Sequence, residues 1–137
     1  MSIETQHLIN SALLTTKINK LIDGELSIHG ISFTEYLIMH HLDASVLKTM
    51  RRIELAEAVG ISASGVTRLL APMEKTGIVQ KEINPRDARQ SLVKLSAAGQ
   101  RLYLEAANSF SHRASKILEP LTENQLTQLI ELTAKLR

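Results

Sequence analysis

Cysteine and tryptophan are both missing from this 137-residue sequence, and tyrosine and phenylalanine contribute only two residues each. Without a thiol there is no disulfide, no thiolate nucleophile and no thiol-based redox sensor, and the lack fits a reducing compartment. With aromatic residues at 3%, the core has to be built from Leu, Ile, Val and Ala. No apolar run approaches the ~20 residues of a membrane span, and the opening MSIETQHLIN lacks the basic-then-apolar order of a secretory signal. The chain is therefore expected in the cytoplasm, with no membrane partner. A Gly-rich phosphate loop is also absent, as is any Ser/His/acid grouping better than chance, so no catalytic residues and no enzyme activity are expected.

What is there reads as one globular unit. Hydrophobic residues make up 44% and charged residues 22%, an ordinary balance for a folded domain. The length suffices for one core but is short for two. The net charge of +2 is unevenly spread. Between Lys48 and Arg101 ten Lys/Arg face five acids, whereas the flanks hold six against nine. A basic middle between mildly acidic ends suits a polyanionic partner, although scattered surface lysines would give the same count.

Five histidines, His7, His29, His40, His41 and His112, raise the question of a metal. A zinc site needs three or four converging ligands, and the one adjacent pair points about 100° apart on a helix. No metal ligand and no cofactor is assigned; the histidines read as partly buried helix residues.

Apolar spacing organises the rest. Leu8, Ile9, Ala12, Leu13, Ile18, Leu21 and Ile22 predict an amphipathic helix over residues 5–23, with Gly24 as its stop. Ser32 and Glu35 form a capping box for a second helix from Phe33 to about Leu42. Ile53, Leu55, Ala56 and Val59 mark the apolar face of a short helix ending at Gly60, and Ser62 caps another that runs to about Lys75. Two short helices joined by a Gly-containing turn make a helix-turn-helix. The second would bury Val66, Leu69, Leu70 and Met73 and turn Ala63, Ser64, Gly65, Thr67 and Arg68 outward. That face is small and polar, as close approach to base edges requires. Pro72 predicts a kink or a loosened last turn.

After Gly77, IVQKEI alternates as a half-buried strand does, NPRDAR turns the chain, and QSLVKLS returns it. Ser96 caps a long helix whose one side carries Leu102, Ala106, Phe110, Ala114, Ile117 and Leu118, ended by Pro120. Thr122 and Gln125 box a last helix with Leu126, Leu129, Ile130, Thr133 and Leu136 as its stripe. The fold class is mainly α with a small antiparallel β-wing: a winged helix-turn-helix flanked by N- and C-terminal helices.

In this order the segments ELAEAVGISASGVTRLLAPMEKTGIVQK and RDARQSLVKLSAAGQ resemble the MarR family of bacterial transcription regulators, over nearly the whole chain. The resemblance implies a single domain over 1–137, with dimerisation helices at 1–30 and 100–137 and a winged-helix DNA-binding part at 31–99. It implies a homodimeric repressor on a pseudo-palindromic site in double-stranded DNA, released by a small aromatic or phenolic effector of unknown identity in a crevice between the two parts. Low aromatic content suggests that this crevice is aliphatic. The implied DNA contacts are Ala63, Ser64, Gly65, Thr67 and Arg68 in the major groove. Arg86 and Arg89 follow on the wing, with Asp87 orienting Arg89, and Arg52 meets a phosphate. Gly65 stands where the family commonly has Thr or Ser, and Arg51 and Arg52 stand where its first helix usually has a Thr-x-Ser start. Two readings compete: Arg68 pairing with Glu74 instead of DNA, and a winged-helix protein-interaction module without specific DNA binding.

Overall fold

Ser2 opens the chain's first helix by accepting the Thr5 N–H at 3.1 Å. In the computed structural model, which describes residues 1–137, α1 runs Ile3–Leu26. The expected stop at Gly24 does not occur: nothing lies within 4 Å of a Cβ built there, and the helix passes through it. The chain turns instead at Gly30, which takes the left-handed φ of 73° after a 3-10 turn at Ser27–His29. The Ser32–Glu35 capping box forms as expected and starts α2, Phe33–Ala44.

A short strand, β1 Thr49–Arg51, leads into α3, Arg52–Val59, and α4, Ala63–Lys75. Gly60 between the two helices has φ 77° and returns its N–H to Ala56. The wing is β2 Val79–Ile83 and β3 Ser91–Leu95, and β1 pairs with the far edge of β3. The sheet is thus three-stranded, in the order β1-β3-β2, rather than the bare hairpin the sequence predicts. Long α5, Ala97–Ile117, and α6, Glu123–Ala134, complete the chain. Thr122 and Gln125 form the expected box at the start of α6.

The core is apolar throughout, with no buried polar or charged residue. Ile22 and Leu26 of α1, Ile38, Met39 and Leu42 of α2, Leu55 of α3, Val66, Leu70 and Met73 of α4, and Val93 of β3 are almost fully enclosed. At roughly 1.5–3 kcal/mol for each large apolar side chain removed from water, this cluster holds the winged helix together. Ile53 and Ile83, read from the sequence as members of apolar faces, stay in solvent at 56% and 77% exposure. Ile53 lies on the outer turn of α3, and Ile83 sits where the wing has already left the core.

Candidate nucleic-acid interface

The outward face of α4 follows from what the helix buries. Val66, Leu70 and Met73 recur every three to four residues and are enclosed, so Ala63, Ser64, Thr67 and Arg68 face solvent, with Gly65 half-buried between them. The Ser62 hydroxyl accepts the Gly65 N–H at 3.0 Å and lies 3.1 Å from the Ser64 hydroxyl. Thr67 bonds back to the Ala63 carbonyl at 3.2 Å. The result is a low polar surface with one long cation, Arg68.

At the other end, α4 continues unbroken through Pro72, and its last turn closes rather than loosening. Thr76 bonds the Pro72 carbonyl at 3.0 Å, Gly77 the Glu74 carbonyl at 3.1 Å and Ile78 the Met73 carbonyl at 2.9 Å. This is the paired-bond cap that a left-handed Gly77, φ 79°, makes available.

Glu74 does not pair with Arg68. It accepts from Arg52 at 3.1 Å and lies 4.0 Å from Lys81. Arg52 is thereby turned inward, with its side chain only 21% exposed and Nη1 3.5 Å from the Thr67 hydroxyl. This network joins the start of α3, the end of α4 and the base of the wing. Arg68 makes no ion pair within the chain and remains exposed.

The wing tip is built from two local turns. Asn84 Oδ1 accepts the Arg86 N–H at 3.0 Å, and Asp87 Oδ1 accepts the Arg89 N–H at 3.0 Å. Short polar side chains bonding the backbone two residues on are what make Asn and Asp turn residues. The same Asp87 oxygen lies 3.3 Å from Arg89 Nε, while the Arg89 side chain stays 93% exposed. Asp87 thus fixes the stem of an arginine whose head is free, and Arg86 beside it is exposed and unpaired.

Sequence reasoning missed how the aromatic residues gather. All four lie in one cluster between α2 and α5, with Phe33 and Phe110 centred 5.6 Å apart, Tyr36 and Phe110 4.7 Å, and Tyr36 and Tyr103 5.4 Å. Burial, chiefly, and the neighbouring Tyr103 phenol push the Tyr36 phenol well above its ordinary range. His40 Nδ1 lies 3.0 Å from the Tyr103 hydroxyl, and His29 Nε2 lies 2.8 Å from Ser109. A cavity of about 250 Å³ opens beside this cluster, lined only by Ile18, Ile22, Phe33, Phe110, Ala114, Ile117 and Leu118. Two of its seven lining residues, Phe33 and Phe110, are aromatic. The signal was present in Phe33 at the first position of α2 and Phe110 on the stripe of α5.

An exposed, cation-bearing second helix beside a two-stranded wing with an arginine tip defines a winged helix-turn-helix protein. Residues 29–90 match the model of the MarR family. Sco3205, a MarR family transcriptional regulator from Streptomyces coelicolor solved in complex with DNA, superposes with a TM-score of 0.89 at 24% identity, over 99% of this chain and 87% of that one. A mutant of MarR from E. coli complexed with operator DNA gives a TM-score of 0.86 at 21% identity, over 98% and 94%. An organohalide-sensing transcriptional regulator in its ligand-free form gives 0.88 at 20%, over 100% and 80%. At these identities the likeness establishes the fold. The family match falls on residues 29–90, the segment that holds the helix-turn-helix and most of the wing.

Proposed function

We propose that the chain is a homodimeric, sequence-specific DNA-binding transcription regulator, a repressor that a small ligand releases from a pseudo-palindromic site. The observation that carries this reading is Arg68, an exposed cation that no acid of the chain neutralises, standing on a helix face otherwise made of Ala63, Ser64, Gly65 and Thr67. Such a face lets the α4 backbone come close to base edges while the guanidinium reaches a guanine or a phosphate. Arg86 and Arg89 extend the cationic surface along the wing to the minor groove or its phosphates, with Asp87 limiting how Arg89 can swing. Arg52 reaches a phosphate only by giving up Glu74, so its larger part is to hold α3 against α4.

The terminal helices 1–30 and 100–137 supply the dimer. Leu8, Leu13 and Leu14 on α1 and Ile130 and Leu132 on α6 are all more than half exposed, an apolar surface that calls for cover. Two-fold pairing there sets the two α4 helices about one DNA turn apart, roughly 34 Å. The Phe33–Phe110 cavity lies where α1, α2 and α5 meet, between the dimerisation and DNA-binding parts, and its faces suit a small aromatic or phenolic effector. A ligand wedged there would act on DNA through α2, which packs directly on α3. The DNA complexes of Sco3205 and MarR and the sensing role of the third neighbour support the same reading.

A mobility shift on the DNA upstream of the protein's own gene tests it. A shift at low salt is expected, and no shift with a folded dimer present would sink the regulator reading. Arg89→Ala should weaken binding broadly across sequences while leaving the dimer intact; unchanged affinity would remove the wing from the mechanism.

A further inference from the structure

A recess of about 180 Å³ opens between the start of α3 and the root of the wing, lined by Arg51, Arg52, Ile53, Gln90 and Ser91. Its side chains hold a set of free donors. Arg51 gives its Nε to Glu54 at 3.2 Å, is 43% exposed, and keeps both terminal nitrogens without a partner in the chain. The Gln90 carbonyl accepts from Asn84 at 3.3 Å, which leaves the two amide hydrogens free. The Ser91 hydroxyl also has no partner within the chain. No carboxylate lines the recess, since Glu54 and Glu74 hold the two arginines without entering it.

Donors gathered without an acceptor suit an oxyanion, and the planar fork of a guanidinium matches two oxygens of a phosphate at once. Ile53, 56% exposed, adds an apolar wall on which the carbon face of a sugar can lie. The position of the recess says where such a phosphate comes from. On one side Arg52 Nη1 lies 3.5 Å from the Thr67 hydroxyl of the α4 face, and on the other Gln90 touches Asn84 of the wing turn. A strand that separates the groove read by α4 from the groove met by the wing tip passes over this point with its backbone toward the protein.

We propose that this recess seats one backbone phosphate of the bound DNA strand, held by the terminal nitrogens of Arg51, the amide of Gln90 and the hydroxyl of Ser91. The seat fixes the register between α4 and the wing, because it ties both to the same strand. Arg51 thereby takes the phosphate role that the Glu74 pairing denies to Arg52. Glu54 and Glu74 already balance the two arginines, so the seat contributes directed hydrogen bonds rather than net charge. This rests on the DNA-binding reading above and adds a contact to it.

Duplexes bound by the full-length wild type, each remade with a single neutral methylphosphonate at a different backbone position, test the seat by fluorescence anisotropy. At one position in each half-site the neutral group should weaken the wild type about tenfold. Arg51→Lys keeps the charge but loses the fork, and it should show little further loss at that position while keeping the wild-type response at all others. Ser91→Ala, on a different element, should blunt the response at the same position. A disturbed start of α3 would weaken every duplex evenly and could not silence one phosphate. If each position that weakens the wild type weakens both variants equally, the seat is overturned and DNA binding stands. Inorganic phosphate separates the other source of this anion: an NMR signal of the Arg51 Nε–H that moves with free phosphate but not with the duplex assigns the recess to a small ligand and overturns the DNA contact. A wild type that binds no duplex fails the regulator reading first, and the seat falls with it.

Discussion

A Cβ built at Gly99, in the first turn of α5, would overlap the Ile78 carbonyl oxygen and stand 2.9 Å from Leu95 Cδ1. Both neighbours belong to the wing base, and the carbonyl cannot step aside without moving backbone. Gly99→Ala should therefore lose about 2–3 kcal/mol in urea unfolding, despite the gain of roughly 1 kcal/mol that alanine brings inside a helix. Gly24→Ala is the matched control: it also lies in a helix, nothing crowds it, and it should gain roughly 0.5–1 kcal/mol. A second pair separates binding from folding. Arg68→Ala removes a free cation, so DNA affinity should fall on the order of ten- to a hundredfold with an unchanged melting temperature. Arg52→Ala leaves Glu74 with only the distant Lys81, so it should cost stability, about 1 kcal/mol by thermal or urea unfolding.

At the level of elements, α3 shows how a helix starts without a good capping residue. Arg51 stands at its N-cap and has no side chain able to accept. The Glu54 carboxylate supplies the bond from inside, taking the Arg51 N–H at 2.9 Å and the Arg51 Nε at 3.2 Å. The backbone hydrogen bond from Arg51, chiefly, holds the Glu54 pKa below the usual carboxylate range against the opposing effect of burial, helped by the Arg51 side chain. A carboxyl whose folded pKa is depressed adds stability above its unfolded pKa, about 4.3, and loses that contribution as pH falls through the folded value. Glu54→Ala should thus cost about 0.5–1 kcal/mol at pH 7, at the low end for a cap because the site is exposed. Thermal unfolding as a function of pH should show the gap between variant and wild type closing below about pH 4.

The elements that sequence made legible are those with a local signature. Ser32 with Glu35, Ser62, Ser96 and Thr122 with Gln125 mark helix starts through side chains that meet the backbone within a few residues, Gly60 marks an end by its left-handed backbone, and all appear where expected. The small polar face of α4 was equally legible, since the buried periodicity of Val66, Leu70 and Met73 dictates it. Strand β1 was not. Leu47 and Lys48 before it take left-handed φ of 58° and 57° without any Gly or Asn to announce a turn. Lys48 is held by Asp43, through the carbonyl at 2.8 Å and the carboxylate at 3.0 Å. Pairing of β1 with β3 is a long-range contact that no local spacing encodes. The partner of Glu74 was hidden for the same reason, because Arg52 reaches it across 22 residues.

On the scale of the whole molecule, the charge asymmetry seen in the composition becomes a surface. The acids of the basic middle are largely engaged: Glu54 with Arg51, Glu74 with Arg52, Glu82 with Lys94 and Asp87 with Arg89. Arg68 and Arg86 keep their charge for a partner, and Arg89 keeps its exposed head. In a two-fold dimer these give six guanidinium groups facing one duplex. Each phosphate neutralised releases condensed counterion, so the logarithm of the binding constant should fall against log salt with a slope of roughly −5, a loss of about a thousandfold between 50 and 200 mM. Fluorescence anisotropy on an operator-length duplex measures this, with protein held far above the dimer dissociation constant so that salt acting on the dimer does not enter. Arg89→Ala should flatten the slope by about two, one for each protomer. A slope near zero would mean that these arginines meet no phosphates, and the winged helix would then be a surface for a protein partner instead of DNA.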